Sequence, residues 1–147
     1  MSATEVRRLA PGDEALVTAA AHLLDDPPDE AAVRAFLASP TDHLFLASQD
    51  GRPVGFALAH ELRRLDGPPE LFLYEIATDE AHRRQGVARL LIGALRGLGR
   101  ERGAKLMFVL THQHNRAAMS FYHATGGSSH GEDARGIVMF DYSLSEK

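Results

Sequence analysis

The chain has no cysteine among its 147 residues. That absence excludes disulfides, thiolate metal sites and any covalent intermediate on a cysteine, so a group in transit must pass directly to its acceptor or through another side chain. No apolar run approaches the length of a membrane span. The first nine residues lack the basic start and apolar stretch of a secretory signal, so the expected location is the cytoplasm, with no membrane partner. Positive charge is also short: 16 Lys and Arg against 20 Asp and Glu give a formal net charge of -4. That is the wrong sign for general nucleic-acid affinity, and the arginines are scattered rather than clustered with aromatics. A cationic partner suits this field better.

What is present suits one domain spanning residues 1–147. A chain of this length can bury a real core, and 44% hydrophobic with 24% charged residues is a globular balance rather than a disordered one. Residues 5–9 alternate weakly as a first strand. Asp13 is placed to cap a helix with Leu16, Val17, Ala20, Leu23 and Leu24 on one face, until Asp25-Asp26-Pro27-Pro28 breaks it. Asp29 suits the N-cap of a second short helix that buries Val33, Phe36 and Leu37 and ends before Ser39-Pro40. Apolar strands over 43–48 and 53–60 flank Asp50-Gly51, a strong hairpin signal. A connection over 61–70 leads to an apolar strand, 71–77. Residues 86–102 carry helical spacing and Gly103 closes them. A buried strand over 106–110, a short helix over 115–124 and a last strand over 137–142 complete the chain. This order predicts an α/β (α+β) fold: a mixed sheet with helices on both faces and a central parallel β-α-β unit.

Immediately before the long helix stands Arg83-Arg84-Gln85-Gly86-Val87-Ala88, following a strand across a short acidic connection. The first N–H groups of a helix lack internal partners and carry the positive end of its dipole, so they bind phosphates. Gly86 and Ala88 are small enough to admit phosphates to the main chain, and Arg83 and Arg84 add charge; the alternative is a solvated charge pair at a helix start. The segment is neither a nucleoside-triphosphate loop, which ends in Gly-Lys-Ser/Thr, nor a dinucleotide fingerprint with three spaced glycines. Gly93, Gly97 and Gly99 lie within the helical pattern, where they allow close packing rather than ligand contact.

Arg83-x-x-Gly86-x-Ala88 resembles the signature of the GNAT superfamily of acetyl-CoA-dependent N-acyltransferases, and Asn115-x-x-Ala118-x-x-Phe121-Tyr122 followed by Gly126 resembles its second landmark. The resemblance implies a mostly antiparallel GNAT-like sheet, acetyl-CoA as acetyl donor and no metal. It implies that the backbone of Ile76, Ala77 and Thr78 runs beside the pantetheine arm, on a strand splayed from the next by a bulge. By the same resemblance Arg83, Arg84, Gln85, Gly86, Val87 and Ala88 hold the pyrophosphate, and Asn115, Ala118 and Tyr122 line the path to the thioester.

Glu75 is the only charged residue in 71–78, within a strand expected to be central. A carboxylate there has either a partner or a task. Partly buried at the bulge, it could take a proton from an ammonium acceptor directly or through water; the alternative is an ion pair with an arginine. Tyr122 matches the family's general-acid tyrosine, which would protonate the departing thiolate; without the family match, Phe121 and Tyr122 read as core aromatics. His112 and His114 alternate before the last short helix, and His123 and His130 follow. A second base at His112 is one reading and a solvated loop histidine another, while no ligand spacing supports a metal.

Within the superfamily, 73–77, 82–86 and the ending Val138-Met139-Phe140-Asp141-Tyr142 look similar to aminoglycoside 3-N-acetyltransferases. The acceptor implied is a small cationic amine, and resistance to such antibiotics would follow. Acidic residues in loops expected to border the cleft, Asp25 and Asp26 with Asp29 and Glu30, then Glu132 and Asp133, could bind several ammonium groups; ordinary loop acidity is the alternative. Where the resembled enzymes carry an acidic loop, this chain has Thr111-His112-Gln113-His114-Asn115-Arg116. Another amine, a polyamine or a protein N-terminus would suit the same cofactor features, as would a noncatalytic acyl-CoA-binding module. Edge strands near the C-terminus could support a homodimer.

Overall fold

Along the chain, the computed structural model, which describes residues 3–145, runs β1 (Thr4–Arg8), α1 (Glu14–Ala19), α2 (Glu30–Ala38), β2 (Asp42–Gln49), β3 (Arg52–Leu62), β4 (Glu70–Thr78), α3 (Val87–Glu101), β5 (Leu106–His112), α4 (Arg116–Ala124), β6 (Ser128–Glu132) and β7 (Ile137–Ser143). The strands form one seven-stranded sheet in the order β1-β2-β3-β4-β5-β7-β6. Only the β4–β5 pair is parallel, joined through α3; every other pair is antiparallel. Asp50 and Gly51 turn β2 into β3 with φ of 50° and 76°, the left-handed pair that a two-residue hairpin requires.

Period-two alternation splits the core into two layers. On β2, Leu44 and Leu46 face α1 and α2 with Val17 and Leu37, while Phe45 and Ala47 face the other way, toward Leu91 and Leu95 of α3. Helices therefore cover both faces, as the periodicity predicts. Gly55 lets α3 approach the sheet: a Cβ there would meet Val87 Cγ1 at 2.8 Å and the Ala77 carbonyl at 3.0 Å. Of the three glycines inside α3, only Gly99 is needed for packing, since its Cβ would strike Leu144. Gly93 and Gly97 face open space.

Three local expectations change. The first helix is not continuous to Leu24; it ends at Ala19 and a 3-10 turn, Ala21–Leu23, follows. Asp13 does not cap it with its side chain. Its carboxylate instead accepts from the Ala10 N–H at 2.8 Å and from Arg7 at 2.7 Å, closing the preceding turn. A seventh strand, β6, has no apolar residue and is exposed throughout, so it carries no periodic signal; pairing to β7 and the contact of His130 Nε2 with the Asp141 carboxylate at 2.7 Å hold it. Asp29 does cap α2, accepting from Ala32 N–H at 2.8 Å.

The C-terminal end of α3 is tied down by a chain of charged groups. Arg102 donates to Glu61 at 2.8 and 3.3 Å, His43 reaches the same carboxylate at 3.3 Å, and Arg8 lies 2.7 Å from the other His43 nitrogen. With Arg8 as an obligate donor, His43 Nδ1 accepts and Nε2–H donates to Glu61. Burial, reinforced by Arg8, holds His43 below its ordinary value. Burial alone would raise Glu61, but hydrogen bonds from Arg102 and His43 outweigh it and hold the carboxyl below its ordinary range. No helix among the described residues is long and apolar enough to cross a membrane.

Candidate functional site

The parallel strands β4 and β5 pair only from Leu71, Phe72 and Leu73 to Met107, Phe108 and Val109. Beyond Leu73 they part, so the backbone groups of Tyr74 to Thr78 that turn toward β5 lose their ladder partners. On the other side of β4, Leu58 pairs with Glu75 while Ala59 pairs with Leu73, which leaves Tyr74 as the extra residue of a bulge. The bulge sits where the strands separate and leaves both Tyr74 and Glu75 exposed.

A cleft of about 860 Å³ occupies this gap. Its walls include Glu75, Ile76, Ala77 and Thr78 of β4, then Arg83, Arg84, Gly86, Val87 and Ala88, and on the far side Asn115, Ala118 and Tyr122. Gln85 is not among them; its amide oxygen accepts from Gln49 at 3.0 Å. Residues given no site role from the sequence join the walls: Leu23, Tyr74, His82, Arg89, Val109, Leu110 and Phe121. Most of these come from elements far apart in the chain, and only the folded sheet assembles them.

Gly86 is the N-cap of α3 with φ 79°, in the left-handed region, and no side chain caps the helix. The ladder starts with Leu90 N–H to Gly86 at 3.0 Å, so the preceding amides of Val87, Ala88 and Arg89 precede its first bond. The space above Gly86 is open, with no atom within 4 Å of where a Cβ would stand. Asp79 and His82, 2.6 Å apart, brace the turn into this segment. Unpartnered amides, the positive end of a 15-residue helix and Arg83, Arg84 and Arg89 together suit a polyanion such as pyrophosphate.

Glu75 is exposed rather than partly buried, and among the described residues it has no ion pair. Tyr122 is 6% exposed, packed against Phe121 and Phe140 with ring centroids 5.6 and 5.5 Å away. Burial, with a smaller contribution from Tyr142, pushes its hydroxyl up to about 12. Among the described residues that hydroxyl has no hydrogen-bond partner, and it is not sealed from solvent, so it opens into the cleft. Asn115 caps α4, accepting from Ala118 N–H at 3.1 Å.

Of the acidic candidates for an acceptor, only Asp25 and Glu75 line the cleft. Asp26 lies outside its walls. Asp133 is consumed by its own turn, accepting from the N–H groups of Arg135 at 2.8 Å and Ile137 at 3.0 Å; those bonds, with Arg135, hold it below its ordinary range. Glu132 lies against the Gln113 amide, which donates to it. His112 accepts from His114 N–H at 3.1 Å and its other ring nitrogen meets the Arg135 carbonyl at 2.9 Å. Neither nitrogen is left for a substrate, and His112 is not in the cleft wall. Among the described residues no three His, Asp or Glu side chains gather as metal ligands.

The profile of the acetyltransferase (GNAT) family matches residues 14–126. The chain belongs to this family. It is a GNAT acetyltransferase, and GNAT enzymes use acetyl-CoA. No curated protein matches it in sequence. Among solved structures, the aminoglycoside acetyltransferase HMB0005 from an uncultured soil metagenomic sample is 28% identical, with a TM-score of 0.76 over 89% of this chain and 95% of that one. The aminoglycoside N-acetyltransferase AAC(6')-Iy, solved with CoA, is 25% identical, with a TM-score of 0.73 over 86% and 88%. The aminoglycoside acetyltransferase meta-AAC0020, also from an uncultured soil metagenomic sample and solved with sisomicin, is 21% identical with a TM-score of 0.82 over 89% and 92%, a likeness of fold.

Proposed function

We propose that this GNAT enzyme acetylates a primary amine of an aminoglycoside, with the 3-N position as the site of attack and antibiotic resistance as the consequence. The observation that carries the reading is the parted β4–β5 gap, which joins the open amides of α3 to an unpaired carboxylate at Glu75 along one cleft. The relatives at 28% and 25% identity are aminoglycoside acetyltransferases, which supports this acceptor class. Acetyl-CoA supplies the activated acyl group as a thioester.

Val87, Ala88 and Arg89 offer backbone N–H groups to the pyrophosphate, and Arg83 and Arg84 add charge. Ile76, Ala77 and Thr78 offer the strand edge to the pantetheine arm, whose amides can replace the missing β5 ladder. Near the bulge, the same unladdered N–H groups polarise the acyl carbonyl. Glu75 takes a proton from the bound ammonium and so frees the amine to attack, with Asp25 in the cleft wall as a second carboxylate for the cationic acceptor. The freed amine nitrogen then bonds to the carbonyl carbon as the C–S bond breaks, and its surplus proton passes to the departing thiolate, which leaves as the thiol. Tyr122 keeps its proton at about 12, so it serves as a hydrogen-bond donor to the departing thiolate rather than surrendering the proton to it.

The test is mass spectrometry of a mixed pool of aminoglycosides and other amines incubated with enzyme and acetyl-CoA. Acetylated aminoglycoside at position 3 is expected. Acetylation confined to a polyamine or a peptide N-terminus would retire the acceptor assignment and leave the transfer chemistry; CoA binding without turnover would retire both.

A further inference from the structure

On the face of the sheet under α1 and α2 lies a groove of about 200 Å³ that the proposed reaction does not use. Every residue lining it is apolar. Leu46 and Phe56 belong to its buried floor, and Leu24, Pro28, Phe36 and Leu58 stand half-buried around it. Water gains nothing in such a space, because it needs two to four polar partners; engineered apolar cavities of roughly 150 Å³ stay dry and take benzene. The chemistry of the walls therefore selects hydrocarbon.

The groove adjoins the cleft across two cross-strand pairs. Leu58 in the groove is paired directly with Glu75 in the cleft, and Phe56 with Ala77. Directly paired residues share a face of the sheet with Cβ atoms about 5 Å apart, and Ala77 packs against the apolar cluster under α1 and α2. One loop also borders both spaces: Leu23 and Asp25 line the cleft, Leu24 and Pro28 the groove. An amine held at Glu75 has in this groove an adjoining, wholly apolar surface for the rest of its body.

We infer that the groove is an acceptor subsite for hydrocarbon, so that the enzyme also acetylates primary amines carrying an alkyl or aryl body, with the nitrogen at Glu75 and the body lying across Leu58. This rests on the assignment of acetyl transfer to the Glu75 cleft. The reaction is the same: the nitrogen loses its proton to the carboxylate and displaces the thiolate. Selection comes from the body rather than from added positive charge.

The test uses linear amines from ethylamine to octylamine with acetyl-CoA, following CoA release. Their nitrogens are alike in basicity, so differences report the body. The expected result is a kcat/KM that rises about fourfold per methylene and levels off once the groove is filled. Ala32→Phe, at an exposed α2 position in the groove wall, should flatten the rise while leaving ethylamine turnover and the acetyl-CoA Michaelis constant unchanged. If that variant does not fold, Leu24→Asp places a charge in the same wall and should flatten it too. A flat series in the parent enzyme, or the same rise in a folded variant, overturns the subsite. If no amine of any class releases CoA, the transfer assignment falls instead, and calorimetry of octylamine with parent and Ala32→Phe decides the groove: binding in the parent alone upholds it, and no binding removes it.

Discussion

The chain treats the two ends of helix α3 in opposite ways. At the C-terminal end Arg102, Glu61, His43 and Arg8 form a continuous run of hydrogen bonds that anchors the helix to β1, β2 and β3. At the N-terminal end Gly86 carries no capping side chain and leaves open space above it. A helix secured from behind can keep its first amides unsatisfied in front. Those amides cost stability in the empty protein and become useful only when an anion arrives.

The largest effect expected from breaking this asymmetry is at Gly86. Gly86→Asp would place a carboxylate among the amides proposed to hold pyrophosphate, at a φ of 79° where a side chain is strained. We expect acetyl-CoA binding to fall below detection by calorimetry while circular dichroism remains native. Undiminished affinity in a folded variant would remove the phosphate role of this helix end.

Glu75→Gln sharpens the comparison by separating binding from chemistry. It lies on β4, away from the open helix end, so acetyl-CoA affinity should hold. Turnover should drop about a hundredfold to ten-thousandfold, the usual contribution of a positioned base. The loss should shrink as pH approaches the acceptor amine's own pKa, since the amine then deprotonates unaided. A change confined to the acceptor Michaelis constant would make Glu75 an ammonium-binding group.

The anchored end should respond in stability alone. Glu61→Ala frees the exposed Arg102 and leaves the buried His43 Nε2–H without its acceptor, which costs about 1–3 kcal/mol, read as a lowered denaturant midpoint. Affinity for acetyl-CoA among folded molecules should not move. The same network sets an acid limit. His43 is held below its ordinary 6.5, so as pH falls below 6.5 the unfolded chain binds a proton that the folded chain refuses, and stability declines. Glu61, held below its ordinary 4.5, adds a second loss as pH falls through its folded value. Removing Glu61 should eliminate that second loss, and a titration that shows no change there would mean the network carries little linkage.

These two ends also show what was legible in sequence. The open end could be read because its parts are contiguous: strand, turn, Arg83 to Ala88, helix, with its free amides belonging to the backbone. The fold class could be read for a similar reason, since periodicity and the Asp50-Gly51 turn are local. The acceptor side could not. Asp133 and Glu132 looked available in sequence, yet one is spent on its own turn and the other faces Gln113. His112 was equally ambiguous until both nitrogens found backbone partners. Gly55, which admits α3 to the sheet, had nothing to mark it, because the atoms it avoids belong to Ala77 and Val87, 22 and 32 residues on in sequence. Tyr74 as the bulged residue emerges only from the register with β3.

The smallest effect tests whether facing the cleft is what leaves a helix end open. It is not enough, because α4 also begins at the cleft wall and is nonetheless closed by Asn115. Its cap has the same form as that of α2, which starts at Asp29: each side-chain oxygen accepts from the amide three residues on, at 3.1 and 2.8 Å, and each helix has nine residues. Asn115→Ala and Asp29→Ala should therefore each lower stability by about 1 kcal/mol. Asp29 is not in the cleft wall, so its loss should leave acetyl-CoA affinity unchanged and serves as the control. If Asn115 acts only by closing α4 and holding Tyr122 in place, its removal should weaken acetyl-CoA binding by less than about threefold, consistent with the modest energy of one cap. A tenfold or greater loss at equal stability would mean that Asn115 meets the cofactor directly. The cap and the ligand would then compete for one side chain, and the closed end of α4 would be a second open end in waiting.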